Sequence, residues 1–385
     1  AALPMDPRTA AFENRPYTIK AGDFRLLVQP SLALEYNDNV STSNGDPEED
    51  LIIRPLVQFD ASYPITANNL LRINVGVGYD QYLENTDLST WRLNSGSAIA
   101  FDMVIKDFTI NIHDRFEYVR DSARRGDVAN TAEQGNLENT AGLQIDWALG
   151  DVILTAGYDH QNSISTVEQY EYQDRASEII SLRAGMQLHP QLVAGVESPL
   201  SFNSYDLPVL NDSTSYGGGV YANWTPGTRL SVRPRFGYTV YDFRQTSDFI
   251  LAEDKDSWYA DLTVRHQVRD AISYALSAGH ELRLGVQSDL VDVWYVRPSL
   301  TWNITSRISL TPSFSYESGS QGGSTIVGVR EENYDYYSGG LHVSGSITEK
   351  LRLSLGYRLT VRTSDGVNRD YTQNQVSLTC TYSMQ

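Results

Sequence analysis

One run of this chain, Lys350 to Arg362, alternates apolar and polar residues without a break. Successive side chains of an extended strand point to opposite faces, so this run has one apolar face and one polar face. The apolar face carries Leu351, Leu353, Leu355, Tyr357, Leu359 and Val361, and the polar face carries Arg352, Ser354, Gly356, Arg358, Thr360 and Arg362. A strand with lipid on one side and a polar interior on the other has this composition. The pattern therefore predicts a strand that crosses a membrane.

The alternation returns along the whole chain, for example in Ala271–Val286 and Arg307–Glu317. Many such strands in succession, with almost no helical periodicity between them, indicate one closed object rather than several domains. The predicted strands cover 24–37, 50–61, 70–83, 90–104, 107–120, 137–149, 151–163, 176–188, 191–203, 214–225, 228–243, 256–269, 271–286, 291–304, 306–317, 333–347, 350–363 and 371–384. We predict an all-β fold, a single transmembrane antiparallel β-barrel of about 18 strands.

The connections between these strands fall into two alternating classes. Short turns occur at Lys106-Asp107, Gly150-Asp151, His189-Pro190, Pro226-Gly227-Thr228, Arg269-Asp270, Thr305-Ser306 and Thr348-Glu349-Lys350, and long polar connections at 121–136, 165–175, 244–255 and 319–332. Outer-membrane barrels have short periplasmic turns and longer outer loops. We therefore expect a bacterial outer-membrane location with both termini periplasmic. Residues 24–385 would form the barrel, and residues 1–23 would be a periplasmic tail, a docking strand or a plug.

Composition agrees with a barrel whose lipid contact is limited to every second residue. No apolar run is long enough for a membrane helix, and the mean hydropathy is −0.36. The chain starts without a secretion signal, which we interpret as removed. Cys380 is the only cysteine, so no intrachain disulfide forms, and alternation puts it on the lipid face. Aromatic residues near strand ends predict interfacial girdles, namely Tyr79, Trp91, Trp147, Trp224, Trp258, Trp302 and Tyr316.

The formal net charge of −18 is unevenly distributed. Acidic residues crowd the predicted outer loops: Asp46, Glu48, Glu49, Asp50, Glu168, Glu171, Asp174, Asp248, Glu253, Asp254, Asp256, Glu331, Glu332 and Asp335. Arginines occupy predicted lumen-lining positions: Arg54, Arg72, Arg92, Arg115, Arg183, Arg233, Arg235, Arg265, Arg283, Arg297, Arg352 and Arg358, with Glu117, Asp261 and Glu281 among the carboxylates. Two interpretations stay open: an ion-paired network that stiffens the wall, or a path that attracts anionic solutes or sugar hydroxyls.

No catalytic motif is present. The six histidines have no metal-ligand spacing, and the chain contains no nucleophile elbow, phosphate loop or Cys-x-x-Cys. We expect no enzymatic activity, no cofactor and no nucleic-acid partner. Asp38, Asp46, Glu48 and Asp50 supply oxygen ligands of the kind calcium prefers, but without EF-hand spacing, so a solvated loop is the alternative to a metal site.

The stretch Leu32-Ala-Leu-Glu-Tyr-Asn-Asp-Asn-Val40, followed by Glu48-Glu-Asp-Leu-Ile-Ile-Arg-Pro55, resembles the opening hairpin of a loosely defined family of β-barrel porins of Gram-negative bacteria. That family includes barrels encoded with exopolysaccharide export systems. The resemblance continues as strand pattern over nearly the whole chain. It implies an outer-membrane barrel but assigns no functional residues.

Three functional hypotheses follow. The first is a channel for passive diffusion of small polar solutes. The second is a conduit for exopolysaccharide export, and the third is a structural or anchoring barrel whose lumen is closed and whose loops or residues 1–23 bind a partner. The expected partners are outer-membrane lipid and lipopolysaccharide, together with small solutes or a polysaccharide. Association with further copies of the chain, or with a periplasmic protein through residues 1–23, stays open.

Overall fold

A computed structural model of the protein describes residues 16–120, 125–132, 135–322 and 331–384. Its strands are β1 Ile19–Ala21, β2 Phe24–Asn37, β3 Asp50–Thr66, β4 Asn69–Tyr82, β5 Thr90–Ile105, β6 Phe108–Arg120, β7 Gly135–Leu149, β8 Val152–Ser165, β9 Arg175–His189, β10 Leu192–Tyr205, β11 Asp212–Trp224, β12 Leu230–Arg244, β13 Lys255–Arg269, β14 Ile272–Leu284, β15 Leu290–Asn303, β16 Ile308–Gln321, β17 Glu332–Ser346, β18 Leu351–Ser364 and β19 Tyr371–Tyr382. Short 3-10 helices lie at Thr86–Leu88 and Glu168–Gln173. No helix in the described ranges has the length and apolar character needed to cross a membrane.

The sheet closes on itself. Each strand from β2 to β19 pairs antiparallel with the next along the chain, and β19 returns to pair with β2 from Ser31↔Thr381 to Asn37↔Gln375. The predicted 18-stranded antiparallel barrel is therefore confirmed. Strand ends differ from the prediction by a few residues, as where β16 continues to Gln321. Ser318 to Gln321 at its end pair with β15 and β17. None of these residues is apolar, so the alternation that predicts strands does not extend to them.

The additional strand, β1, lies at the seam where the barrel closes. It pairs antiparallel with the beginning of β2, with Ile19 opposite Leu26. The pairing of β19 with β2 stops at Ser31, so β1 occupies the edge of β2 beyond that point. Three residues are too few for an alternation signal, which is why the sequence did not predict this strand. Residues 1–15 of the predicted N-terminal segment lie outside the described residues, and its boundary at residue 24 stays a prediction.

The outer face of the wall is apolar. In β18, Leu355 is 53% exposed and points outward, whereas Thr360 and Arg362 of the same strand point inward and are buried. The same alternation holds around the barrel, and all six tryptophans have exposed rings. Such a surface requires lipid rather than water around it.

Several outward tyrosines are bonded to carboxylates that lie nearer the long loops. Tyr158 Oη donates to Glu178 at 2.5 Å, and Tyr316 Oη donates to Asp335 at 2.8 Å. Asp335, assigned to an acidic loop by the sequence, lies in β17 instead. These rings are apolar along their length and polar at their tips, as an interfacial girdle requires.

We predict that Leu355→Arg impairs barrel assembly, whereas Ser354→Arg does not. The first change places a cation on the lipid face, at a cost of about 2–4 kcal/mol near the bilayer midplane. The second places the same charge on the inner face one residue away. Assembly is measured by the difference in gel migration between unboiled and boiled protein, and equal assembly of the two variants would contradict the face assignment.

Candidate functional site in the barrel interior

Ion pairs cover much of the inner wall. Arg54 bonds Glu35 at 2.9 Å, and Arg72 bonds Asp102 at 2.7 Å. Further pairs join Arg92 to Asp80, Arg183 and Arg235 to Glu197, and Arg283 and Arg297 to Glu317. Each arginine in these pairs was a predicted lumen-lining residue, and each bonds a carboxylate on a neighbouring strand or on the strand after it. This part of the interior has the geometry of a stiffening network.

Other predicted arginines stand outside these pairs. Among the described residues, no carboxylate lies within ion-pair distance of Arg115, Arg233, Arg265 or Arg352. All four lie on the inner face and are exposed. Arg358 also lies on the inner face, and it has interactions of its own. The interior therefore combines neutralised and accessible cations.

The predicted lumen carboxylates have different surroundings. Asp261 accepts a hydrogen bond from Tyr295 Oη at 2.9 Å, and Glu117 lines an interior cavity of 770 Å³. Glu281 is half-buried on β14. The sequence analysis did not single out Glu197, which is buried and bonds both Arg183 and Arg235 as well as Tyr259 Oη. Its position on the inward face of an alternating strand was the sequence signal that could have identified Glu197 as a lumen residue.

Inward tyrosines lie flat against this wall because glycines face them. Tyr259 covers Gly219 and Gly237, Tyr295 covers Gly279, and Tyr334 covers Gly319. An arginine packs over each ring: Arg235 over Tyr259, Arg297 over Tyr295 and Arg362 over Tyr334, with a further such pair of Arg183 and Tyr221. The glycines let large rings lie against the backbone instead of projecting toward the axis. The sequence does not reveal these pairings, because the partners come from different strands.

The connection between β6 and β7 folds into the barrel. The sequence predicted an exposed loop at 121–136, yet Asp127 is 0% exposed and lies among residues of the opposite wall. Its carboxylate accepts bonds from Arg125 at 2.8 and 3.0 Å and lies 3.6 Å from Arg283 of β14. Burial alone would raise the pKa of Asp127, but the charges of Arg125 and Arg283 outweigh it and hold the pKa well below its usual range.

Backbone contacts fasten the same loop to several other connections. Arg362 Nε donates to Gly126 O at 2.7 Å, and Arg369 Nη2 donates to Asp127 O at 2.9 Å. At its other end, Asn130 N donates to Thr42 O at 3.0 Å. Asn130 has φ of 60°, a left-handed conformation that asparagine tolerates, and its amide donates to Asn368 O. Residues 125–132, which we call the inward loop, thus bridge β6 and β7 to the far wall.

A buried charge cluster supports the inward loop. Glu332 is 1% exposed and accepts bonds from Arg362 at 2.6 Å and Arg369 at 2.8 Å. The sequence placed Glu332 in an acidic outer loop, whereas it begins β17 and is buried. Its two guanidinium partners also hold the backbone of the inward loop, so one carboxylate orients both. The sequence does not reveal this cluster, because Arg369 lies in the connection after β18 and Glu332 lies at the start of β17.

Three adjoining cavities lie in the interior, and two of them border Arg125 of the inward loop. One of 540 Å³ is lined by Arg72, Asn111 and Arg115 and lies toward the short turns. One of 770 Å³ shares Arg115 with it and is also lined by Arg125 and Arg175. The third, of 430 Å³, shares Arg125 and Arg175 and lies toward the long loops. Space therefore extends along the β5–β9 side of the inward loop.

Two of the four carboxylates considered for a cation, those of Asp50 and Asp38, have other partners. Asp50 is buried and accepts backbone bonds from Leu83, Glu84 and Asn85, and Asp38 accepts from the backbone and side chain of Asn374. Asp46 and Glu48 lie in the connection after β2, where Glu48 O accepts from Val40 N. In the part of the chain that the structure describes, no three His, Cys, Asp or Glu side chains group in a way that would hold a metal.

We predict that Asp127→Asn releases the inward loop. Removing one partner of a buried ion pair costs about 3–5 kcal/mol, because the remaining charges lose compensation. Trypsin should then cut after Arg125 faster than in the wild-type barrel. Asp248→Asn, an equal charge change in another connection, is the control and should leave the rate unchanged. Equal rates in all three proteins would show that Asp127 does not hold the loop.

We also predict that Gly219→Ala destabilises the barrel by about 1–3 kcal/mol, the usual cost of overpacking. An added Cβ would lie 2.6 Å from the backbone oxygen of Phe236 and would displace Tyr259. Its neighbour Gly218 has no atom within 4 Å of that position, so Gly218→Ala is a matched control. The measurement is the denaturant midpoint of unfolding in detergent. A similar midpoint for both variants would rule out the proposed ring packing.

Comparison with known proteins supports the fold. No protein-family model and no curated protein matches the sequence. Among solved structures, OccK2 (OpdF) of Pseudomonas aeruginosa in complex with glucuronate aligns with a TM-score of 0.51 and 8% identity, over 94% of this chain and 99% of that one. A BenF-like porin from Pseudomonas fluorescens Pf-5 aligns with a TM-score of 0.50 and 11% identity, over 93% and 98%. OccK1 (OpdK) of P. aeruginosa aligns with a TM-score of 0.50 and 10% identity, over 93% of this chain and 98% of that one. The chain therefore has the barrel fold of these porins.

Proposed function

We propose that this protein is an outer-membrane channel for passive diffusion of small polar solutes. The observation that carries the proposal is the set of three adjoining interior cavities, which share lining residues from the short-turn end toward the long-loop end. The apolar outer face and the likeness in fold to porins support it. Outer-membrane lipid and lipopolysaccharide would surround the wall, with short turns and both chain ends in the periplasm.

The charge along this path favours anionic solutes. Arg115 lines both the first and the second cavity, and Arg175 lines both the second and the third. The ion pairs of the described residues include neither of these arginines, so their charge acts on a solute in the path. The carboxylates that line these cavities are Asp60, Glu117 and Glu138, and Glu138 already accepts bonds from Gln161 and Ser163. An anion would therefore meet the exposed guanidinium group of Arg115 and the half-buried one of Arg175 in sequence.

The inward loop and the cavities favour a diffusion channel over the two other functional hypotheses. A polysaccharide conduit requires a wide, unobstructed lumen, whereas this loop spans part of the interior and is fixed by ion pairs. A closed anchoring barrel requires the remaining space to be filled, whereas the second cavity alone has 770 Å³. Conductance of the purified protein in a planar bilayer tests the proposal. Stable single-channel currents would support it, and their absence would favour the anchoring barrel.

We predict that the double variant Arg115→Gln, Arg175→Gln shifts the channel toward cation selectivity. The two changes remove accessible positive charge from the path, where it acts on a confined ion at short range. The measurement is the reversal potential in a salt gradient.

The control is Arg229→Gln. This arginine forms a solvent-exposed pair with Asp270 at the short turn, so its loss should leave selectivity unchanged. If the double variant also kept the wild-type reversal potential, the cavities would not be the conducting path.

A further inference from the structure

His113 lies on the inner face of β6 and has acceptor groups at both ring nitrogens. It is 7% exposed and borders the 540 Å³ cavity. Its Nδ1 is 2.8 Å from Asn111 Oδ1, and its Nε2 is 2.8 Å from Asp159 Oδ1. A neutral imidazole has one N–H and one lone pair, so it satisfies only one of these contacts.

The orientation of Asn111 is set by a further carboxylate. Asn111 Nδ2 donates to Asp102 Oδ1 at 2.8 Å. Reversing the amide would place its oxygen against the Asp102 carboxylate and its NH₂ against His113. Asn111 therefore presents its oxygen to Nδ1, and Asp159 presents a carboxylate oxygen to Nε2. Both contacts are hydrogen bonds only if His113 carries a proton on each nitrogen.

The wall leaves room for this contact. His113, Gly142 and Asp159 lie directly opposite one another on β6, β7 and β8. A Cβ on Gly142 would lie 2.8 Å from His113 Nε2 and closer still to Asp159. Because the middle position has no side chain, the imidazole and the carboxylate meet across it. The contact between His113 and Asp159 therefore depends on a glycine at this one position in the register of the three strands.

Another histidine shows the contrasting arrangement. On the outer face, His160 Nδ1 is 2.8 Å from Glu178 Oε1, whereas its Nε2 is 3.1 Å from the Nδ2 donor of Asn162. One proton on Nδ1 satisfies both contacts, so neutral imidazole fits His160. The two histidines thus give opposite expectations for protonation within one protein.

The charges around His113 come from every strand packed near it. They are Arg25 of β2, Asp60 of β3, Arg72 of β4, Asp102 of β5, Arg115 and Glu117 of β6, Glu138 and Asp146 of β7, and Asp159 of β8. Arg72 and Asp102 neutralise each other at 2.7 Å. Asp146 accepts bonds from Gln144 and Thr155, and no described guanidinium pairs with Asp159. Within this set, His113 is the cation that compensates Asp159.

We propose that His113 is a specificity-determining residue of the channel, a cation of the lumen wall whose proton keeps Asp159 neutralised. The proposal rests on the proposed diffusion function. While His113 is protonated, the pair has no net charge, and Arg115 sets the attraction of the cavity for anions. Loss of the proton leaves the Asp159 charge uncompensated beside the path. Deprotonation of this imidazole therefore lowers the preference of the cavity for anions.

The protonation of His113 is tested by a measurement that does not require the channel to conduct. In ¹⁵N-histidine-labelled protein in detergent micelles at pH 7, both ring nitrogens of His113 should be protonated, while His160 should have one protonated nitrogen. The resonances are assigned by their loss in His113→Gln and His160→Gln. A single protonated nitrogen on His113 at this pH would overturn the proposal. This measurement stands even if the barrel does not conduct.

The effect on selectivity is tested by reversal potentials in a KCl gradient at pH 6 and pH 8.5. The wild-type potential should shift toward cation selectivity at the higher pH. His113→Gln should lose this shift, and the outward His160→Gln should keep it. His342 also lies on the inner face, on β17, so His342→Gln is measured in parallel. A shift that persists in His113→Gln, or that is lost in His342→Gln instead, would overturn the proposal. No current in any variant would instead contradict the diffusion function.

Discussion

Closure of the backbone hydrogen-bond ladder between β19 and β2 is the constraint on which the rest of this structure depends. Hydrocarbon offers no partner to an N–H or C=O group, so a sheet in a membrane is stable only when it has no open edge. The seam is short, from Ser31 to Asn37, and β1 pairs with Phe24 to Leu26 of β2, which β19 does not reach. Once the wall is closed, alternation gives every strand one lipid face and one inner face.

The inner face then has to neutralise its own charges and leave space. Both needs are met by the same residues, because an arginine that bonds a carboxylate also packs over a tyrosine ring that lies against a glycine. Arg235, Tyr259, Glu197 and Gly219 form one such group. The inward loop uses the same chemistry, since Asp127 is fixed by guanidinium groups. The wall and the inward loop together determine where the cavities lie.

Most of the fold was predictable from the sequence, because a closed barrel repeats one local rule. The alternation in 350–362 predicted that Leu355 faces out, and its exposed side chain agrees. The site was predictable only in part. Alternation placed Arg183 and Arg235 on the inner face, but it did not pair both with Glu197, which lies on β10 between β9 and β11.

The sequence by itself determined that the barrel wall has about 18 strands, which faces those strands have, and that their connections fall into two classes. These properties follow from side-chain period and turn residues, which are local. Only the tertiary structure decided that residues 125–132 fold inward, that Glu332 is buried and that His113 meets Asp159 across Gly142. Each of these depends on register between strands or on contacts between distant connections. Local alternation contains no information about register or about such contacts. The alternation of a strand stays the same whichever residues lie opposite it on the neighbouring strand.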